Sequence, residues 1–126
     1  LRKRAELHTD GCDPAVGAKY FAKNNIKVLS EIGAGVIGRA CVAALMAVLK
    51  QVEEIRIYDI NQEAAPKYCQ ELSETYGVRA VAVESVEAAV RGADVINVAT
   101  AGAVSPEIHD EWLKEGVLLT CRPVRR

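Results

Sequence analysis

Residues 26–60, IKVLSEIGAGVIGRACVAALMAVLKQVEEIRIYDI, read as strand, glycine turn, helix and second strand in that order. The strand formers Ile26, Val28, Leu29 and Ile32 lead into Gly33-Ala34-Gly35-Val36-Ile37-Gly38. A long apolar helix pattern follows, and Ile55, Ile57 and Tyr58 form the next strand, which ends in Asp59. Each glycine has its own physical task. Gly33 permits a tight turn off the strand, Gly35 lets the backbone approach a pyrophosphate, and Gly38 lets the helix pack close to the sheet. The N–H groups at the helix start then face the phosphates. Asp59 falls where a carboxylate binds both hydroxyls of an adenosine ribose and repels a 2′-phosphate, so the stretch predicts a dinucleotide-binding unit that prefers NAD to NADP. The glycines alone would be weak evidence, because glycine also marks ordinary turns. The strand before, the helix after and the acid at the end of the next strand supply the specificity. The competing reading is a structural βαβ unit whose glycines only make turns.

At 126 residues the chain is expected to be a single domain, residues 1–126, with one core. That length is short for a complete two-substrate oxidoreductase. With 50% apolar residues, 26% charged residues and a net charge of −1, nothing predicts nucleic acid or an acidic membrane surface as a partner. The longest apolar stretch, residues 40–49, is far shorter than a membrane span. LRKRAEL at the start lacks the apolar core of a signal peptide, so the expected location is cytoplasmic. Cys12, Cys41, Cys69 and Cys121 are widely spaced with no CxxC, which argues against a zinc site or a disulfide framework. They read as small core or surface residues, and no metal is expected.

Residues 1–10, LRKRAELHTD, carry no clear period and read as the tail of a missing segment. Asp13-Pro14 predicts a helix start and Asn24-Asn25 its end. Glu31 is unusual, because a buried parallel strand is normally apolar throughout; the expectation is an outward or strand-end position. The helix from Val36 to Lys50 is apolar on most sides and is expected to pack on more than one face. Its small residues would suit a subunit or domain contact. Asn61 predicts the cap of the next helix, along which Ala64, Tyr68, Leu72 and Tyr76 recur at four-residue intervals before Gly77 ends it. Pro66 places the true start nearer Glu63. Val78 to Val83 reads as the third strand, Ser85 to Gly92 as a short capped helix, and Ala93 to Val98 as the fourth strand. Small residues from Ala99 to Gly102 leave room for the cofactor's ribose and nicotinamide where strand order reverses. Ser105-Pro106 starts another helix that Gly116 ends, and Val117 to Cys121 is the fifth strand. Right-handed crossovers then give an α/β fold: a three-layer, doubly wound parallel sheet, Rossmann-like, with strand order 3-2-1-4-5.

With these elements placed, the chain resembles the nucleotide domain of the ornithine cyclodeaminase/mu-crystallin family. The resemblance rests on GAKYFAKNN before the strand, IGAGVIGRA, YDIN, VEAAVRGADVINVATA and WLKEG, and it covers nearly all of residues 8–121. It implies an NAD(H)-binding domain of a cyclodeaminase, ketimine reductase or amino-acid dehydrogenase, with hydride transfer at the α-carbon of an amino acid or imine. It also implies that Val36 and Ile37 meet the pyrophosphate, Asp59 the ribose and Thr100 the nicotinamide side. The full set of candidate cofactor contacts is Thr9, Gly33, Ala34, Gly35, Val36, Ile37, Gly38, Asp59, Ile60, Ala99, Thr100 and Ala101.

Two departures concern chemistry. The family's Arg-Thr pair, whose arginine grips the substrate carboxylate, is matched here by His8-Thr9, and the family's acidic turn after the fifth strand is matched by Arg122 to Arg126. No catalytic residue is therefore assigned; His8 and His109 read as solvated side chains. The expectation is one half of a two-domain enzyme, without its substrate domain and inactive by itself, with a homodimer compatible. The alternative is a non-catalytic nucleotide-binding or interaction module. A shikimate- or glutamyl-tRNA-reductase-like domain shares the glycine turn but fits the first helix less well.

Overall fold

Six short runs with strand-forming character line up in one sheet. The computed structural model describes residues 4–8, 26–33, 35–49, 51–99, 108–114 and 117–121. The strands are β1 (Arg4–His8), β2 (Val28–Ile32), β3 (Glu54–Tyr58), β4 (Arg79–Ala82), β5 (Val95–Val98) and β6 (Val117–Cys121). Their order across the sheet is β1-β6-β5-β2-β3-β4, and all five pairings are parallel. Between strands lie α1 (Val36–Val48), α2 (Ala64–Tyr76), α3 (Val86–Val90) and a 3₁₀ turn at Asp110–Trp112. Counting the five predicted strands as β2 to β6, the predicted order is the observed one.

The sixth strand corrects the reading of the first ten residues. Arg4–His8 is hydrogen-bonded in register with Val117–Cys121 and forms one edge of the sheet. Five residues of mixed character give too little pattern to mark a strand, and what makes them one is a neighbour far along the chain. The helix predicted after Asp13 lies outside the described residues. Of the helix predicted from Ser105 to Gly116, residues 108–114 are described and hold only the 3₁₀ turn, so no α-helix fills that part.

Alternation along the strands sends side chains to two covered faces. On one, Leu29, Ile55, Ile57 and Val95 pack against Val42, Leu45 and Met46 of α1 and Tyr68, Cys69 and Leu72 of α2. On the other, Ile32, Ile96 and Val117 pack against Ala89 and Val90 of α3 and Leu113. Three layers follow. Among the described side chains of α1, Cys41, Val42, Leu45 and Met46 are buried on one face while Ala40, Ala43 and Ala47 are exposed, where burial on more than one face was expected. Alanine suits an exposed helix position because it costs least to hold in a helix. Cys41 is disulfide-bonded, which corrects the reading of unlinked cysteines, and its partner sulfur is not among the described side chains. Cys69 is free and buried.

Local signals behave as the chemistry requires. Ser85 Oγ accepts from the Ala88 N–H at 3.0 Å and caps α3. Gly77 ends α2 in the left-handed region, φ +67°, where a side chain would be strained. Pro66 falls in the first turn of α2, whose cap is Glu63, so its missing N–H leaves no helical bond unmade.

Candidate functional site

The carboxyl ends of β2, β3 and β5 stand level, because Ile32 pairs with Tyr58 on one side and with Val98 on the other. Backbone bonds then tie the three exits together. Gly33 N–H donates to Tyr58 O at 2.8 Å, and Ala99 N–H donates to Ile32 O at 2.9 Å. Gly33 has φ +111°, a conformation L side chains rarely adopt, and there the chain leaves the strand. Gly35 caps α1 with φ −78° and no side-chain cap bond, and the first turn holds no acid. The first intrahelical bond runs from Arg39 N to Gly35 O at 2.9 Å, so the N–H groups of residues 36–38 have no partner within the helix.

The two later glycines divide their work. A Cβ on Gly35, which is exposed, would meet nothing within 4 Å, so the space above the turn is open to an incoming group. At buried Gly38 a Cβ would overlap the Gly33 carbonyl oxygen and come within 3.0 Å of Glu31 Oε2. Position 38 is therefore closed by packing and position 35 is left clear on the solvent side.

Asp59 follows β3 directly, half-buried, and its Oδ1 accepts from the Asn61 N–H at 2.8 Å. That bond holds the carboxylate at the rim of the glycine turn's side of the sheet. Ile60 beside it is 83% exposed, an apolar surface with no cover. Ala99 is buried at the exit of β5. Val36 and Ile37 lie in the first turn of α1, though their side chains are not described. Thr9, Ala34, Thr100 and Ala101 lie outside the described residues. His8 is the last residue of β1, in register with Cys121, which puts its backbone at the same edge of the sheet, on the far side of β6. His109 is exposed, and its ring meets Trp112 edge-on with centroids 4.4 Å apart.

Glu31 corrects the expectation of an outward position. It is completely buried, next to last in β2, between Ile57 of β3 and Asn97 of β5. A strand covered on both faces offers no outward position. Asn97 Nδ2 donates to Oε1 at 2.6 Å, whereas Oε2, equally buried, has no hydrogen-bond partner. Burial holds the carboxyl well above the usual range, outweighing the Asn97 bond that pulls it down. Burial thus favours the uncharged acid over the carboxylate. The sequence did carry a signal: β2 has two polar residues, Ser30 and Glu31, and β5 is an apolar run broken by Asn97, in register with Glu31.

An uncapped helix start with open space above it, a neighbouring strand ending in a carboxylate and a small-residue strand exit can together hold an anion and a diol. Fold and site define a dinucleotide-binding α/β domain. A model of the ornithine cyclodeaminase/mu-crystallin family matches residues 6–122, and the chain belongs to that family. Among curated relatives it is 34% identical over 107 residues to a Delta(1)-pyrroline-2-carboxylate reductase of Bacillus cereus, covering 85% of this chain and 32% of the relative. It is 37% identical over 104 residues to an ornithine cyclodeaminase of Agrobacterium fabrum, covering 82% of this chain and 29% of that enzyme. The chain thus spans about a third of the length of these relatives. Among solved structures, the Delta(1)-pyrroline-2-carboxylate reductase of Thermococcus litoralis, in complex with NADH and L-proline, superposes with a TM-score of 0.74 at 34% identity, covering 85% of this chain and 33% of that one. Among the described residues, no helix is long and apolar enough to cross a membrane, and no group of three His, Cys, Asp or Glu could hold a metal ion.

Proposed function

We propose that this chain is the NAD(H)-binding unit of an oxidoreductase acting at the α-carbon of an amino acid or cyclic imine. The observation that supports it most is the start of α1: three N–H groups without helical partners beneath open space at Gly35, beside Asp59. In this reading the backbone of Gly33, Ala34, Gly35, Val36, Ile37 and Gly38 receives the diphosphate, Asp59 takes the ribose hydroxyls, and Ile60 covers the adenine. Ala99, Thr100 and Ala101 border the nicotinamide, with Thr9 nearby. The nicotinamide would carry the hydride, and the protein's part is to orient it and to shield it from water. The proposed setting is cytoplasmic, and the exposed alanine face of α1 is the surface offered to a second copy.

Calorimetric titration with NADH, NADPH and ADP-ribose tests the reading. NADH and ADP-ribose should bind and NADPH should bind more weakly; no binding by any of the three would overturn it.

A further inference from the structure

We propose that Glu31 makes dinucleotide binding proton-linked: the uncharged acid beneath the glycine turn is the binding-competent form, and its ionisation opposes the cofactor's diphosphate. This deepens the reading of the glycine turn as the diphosphate site and rests on it. Glu31 Oε2 is fully buried, has no partner, and reaches within 3.0 Å of where a Cβ on Gly38 would stand, in the first turn of α1. Oε1 is held by Asn97, so the acid cannot swing away without losing its one bond.

The start of α1 has a partial positive charge that favours any nearby anion. Two groups would claim it, the diphosphate from above and a Glu31 carboxylate from below. A neutral Glu31 leaves it to the cofactor. An ionised Glu31 takes part of it and adds a negative charge in a medium that screens poorly.

The other polar groups on this face do not change that balance. From α1 comes Arg39, 4.4 Å over the Tyr68 ring and bonded to Glu71 of α2 at 2.7 Å. From α2 come Tyr68, raised first by burial and then by Glu31's charge, and Cys69, pushed by burial up to about 11. The register neighbours, Ile57 of β3 and Asn97 of β5, do not titrate, and Asp59 stands beyond the end of β3. Cys41 of α1 is in a disulfide.

Binding that favours the protonated acid draws a proton onto the protein, and affinity falls as pH rises through the free chain's Glu31 value. That window lies above the ordinary carboxylate range. The test measures the NADH dissociation constant from cofactor fluorescence across neutral to alkaline pH, for the chain and for Glu31→Gln. Proton uptake is measured alongside by calorimetry in two buffers of different ionisation enthalpy. In the window the unmutated chain should weaken by up to about tenfold per pH unit and take up protons. Glu31→Gln, which keeps an oxygen for Asn97, should bind with a flat profile and no uptake. Matching profiles, or binding without proton uptake by the unmutated chain, would overturn the proposal and leave the diphosphate site standing. Absence of NADH binding by both proteins at every pH would overturn the site reading and the proposal together. If circular dichroism shows Glu31→Gln to be unfolded, uptake by the unmutated chain decides alone.

Discussion

The Gly33 carbonyl oxygen fills the volume that a side chain on residue 38 would need. Turn and helix therefore meet backbone to backbone. Gly38→Ala should destabilise the chain by roughly 1–3 kcal/mol, since overpacking must push the turn or the helix aside. Urea unfolding followed by circular dichroism measures this; an unchanged midpoint would mean that the turn yields freely.

Gly35 should behave in the opposite way. Its φ of −78° suits any residue and nothing stands within 4 Å of a Cβ there. Gly35→Val should keep the helical circular dichroism and thermal midpoint of the unmutated chain while losing NADH binding. Tight binding in that variant would show that no phosphate approaches position 35.

At the exit of β3, Asp59→Ser should weaken NADH and relatively improve NADPH. Charge-assisted bonds of a carboxylate to ribose hydroxyls contribute on the order of 1.5–3 kcal/mol. The two dissociation constants, measured for both proteins, give the ratio directly. Equal affinities for the two cofactors in the unmutated chain would remove Asp59 from the ribose.

Asp94 gives the chain an acid-sensitive joint. Its Oδ2 accepts from the N–H groups of Lys27 and Val28, both at 2.9 Å, and its Oδ1 pairs with Lys114. Burial by itself would raise this carboxyl, but the Lys114 bond and the two backbone bonds outweigh it and hold the carboxyl below its ordinary value. A depressed folded-state value means stability that is present above the unfolded value and lost as pH falls through the folded one. Asp94→Ala should cost about 1–3 kcal/mol near neutrality by leaving donors unmet, and should flatten the acid limb of stability against pH. Parallel acid limbs for the two proteins would contradict this.

Ser85→Ala should cost about 0.5–2 kcal/mol, because the Ala88 N–H loses its acceptor at the start of a five-residue helix. Ser85→Asp should recover most of it. Chemical denaturation of the three proteins checks both values.

How much was legible follows how far each signal reaches along the chain. The Gly33–Gly38 turn, the Ser85 cap and the Gly77 stop are written within a few residues, and the structure keeps each of them. Strand order across β4-β3-β2-β5-β6 followed from alternation and crossover handedness, which are also short-range rules. What escaped was non-local. Arg4–His8 becomes a strand only because residues 117–121 exist, and Glu31 is buried because β3, β5 and α1 enclose its place in β2. The stretch after Ser105 misled for another reason. A Ser-Pro start and a Gly stop signal where a helix could begin and end, but the described residues between them settle for a single 3₁₀ turn.

The edge pairing of β1 with β6 also sets an order of events during synthesis. Strands β2, β3, β4 and β5 fall within residues 28–98 and can assemble from neighbouring segments, with short loops to close. β1 leaves the ribosome before any of them, yet its neighbour among the described strands is the last of these to emerge. The earliest-made of the six described strands therefore docks latest. Until then its backbone donors and acceptors stay open to strangers, so the nascent chain is exposed to mispairing along β1.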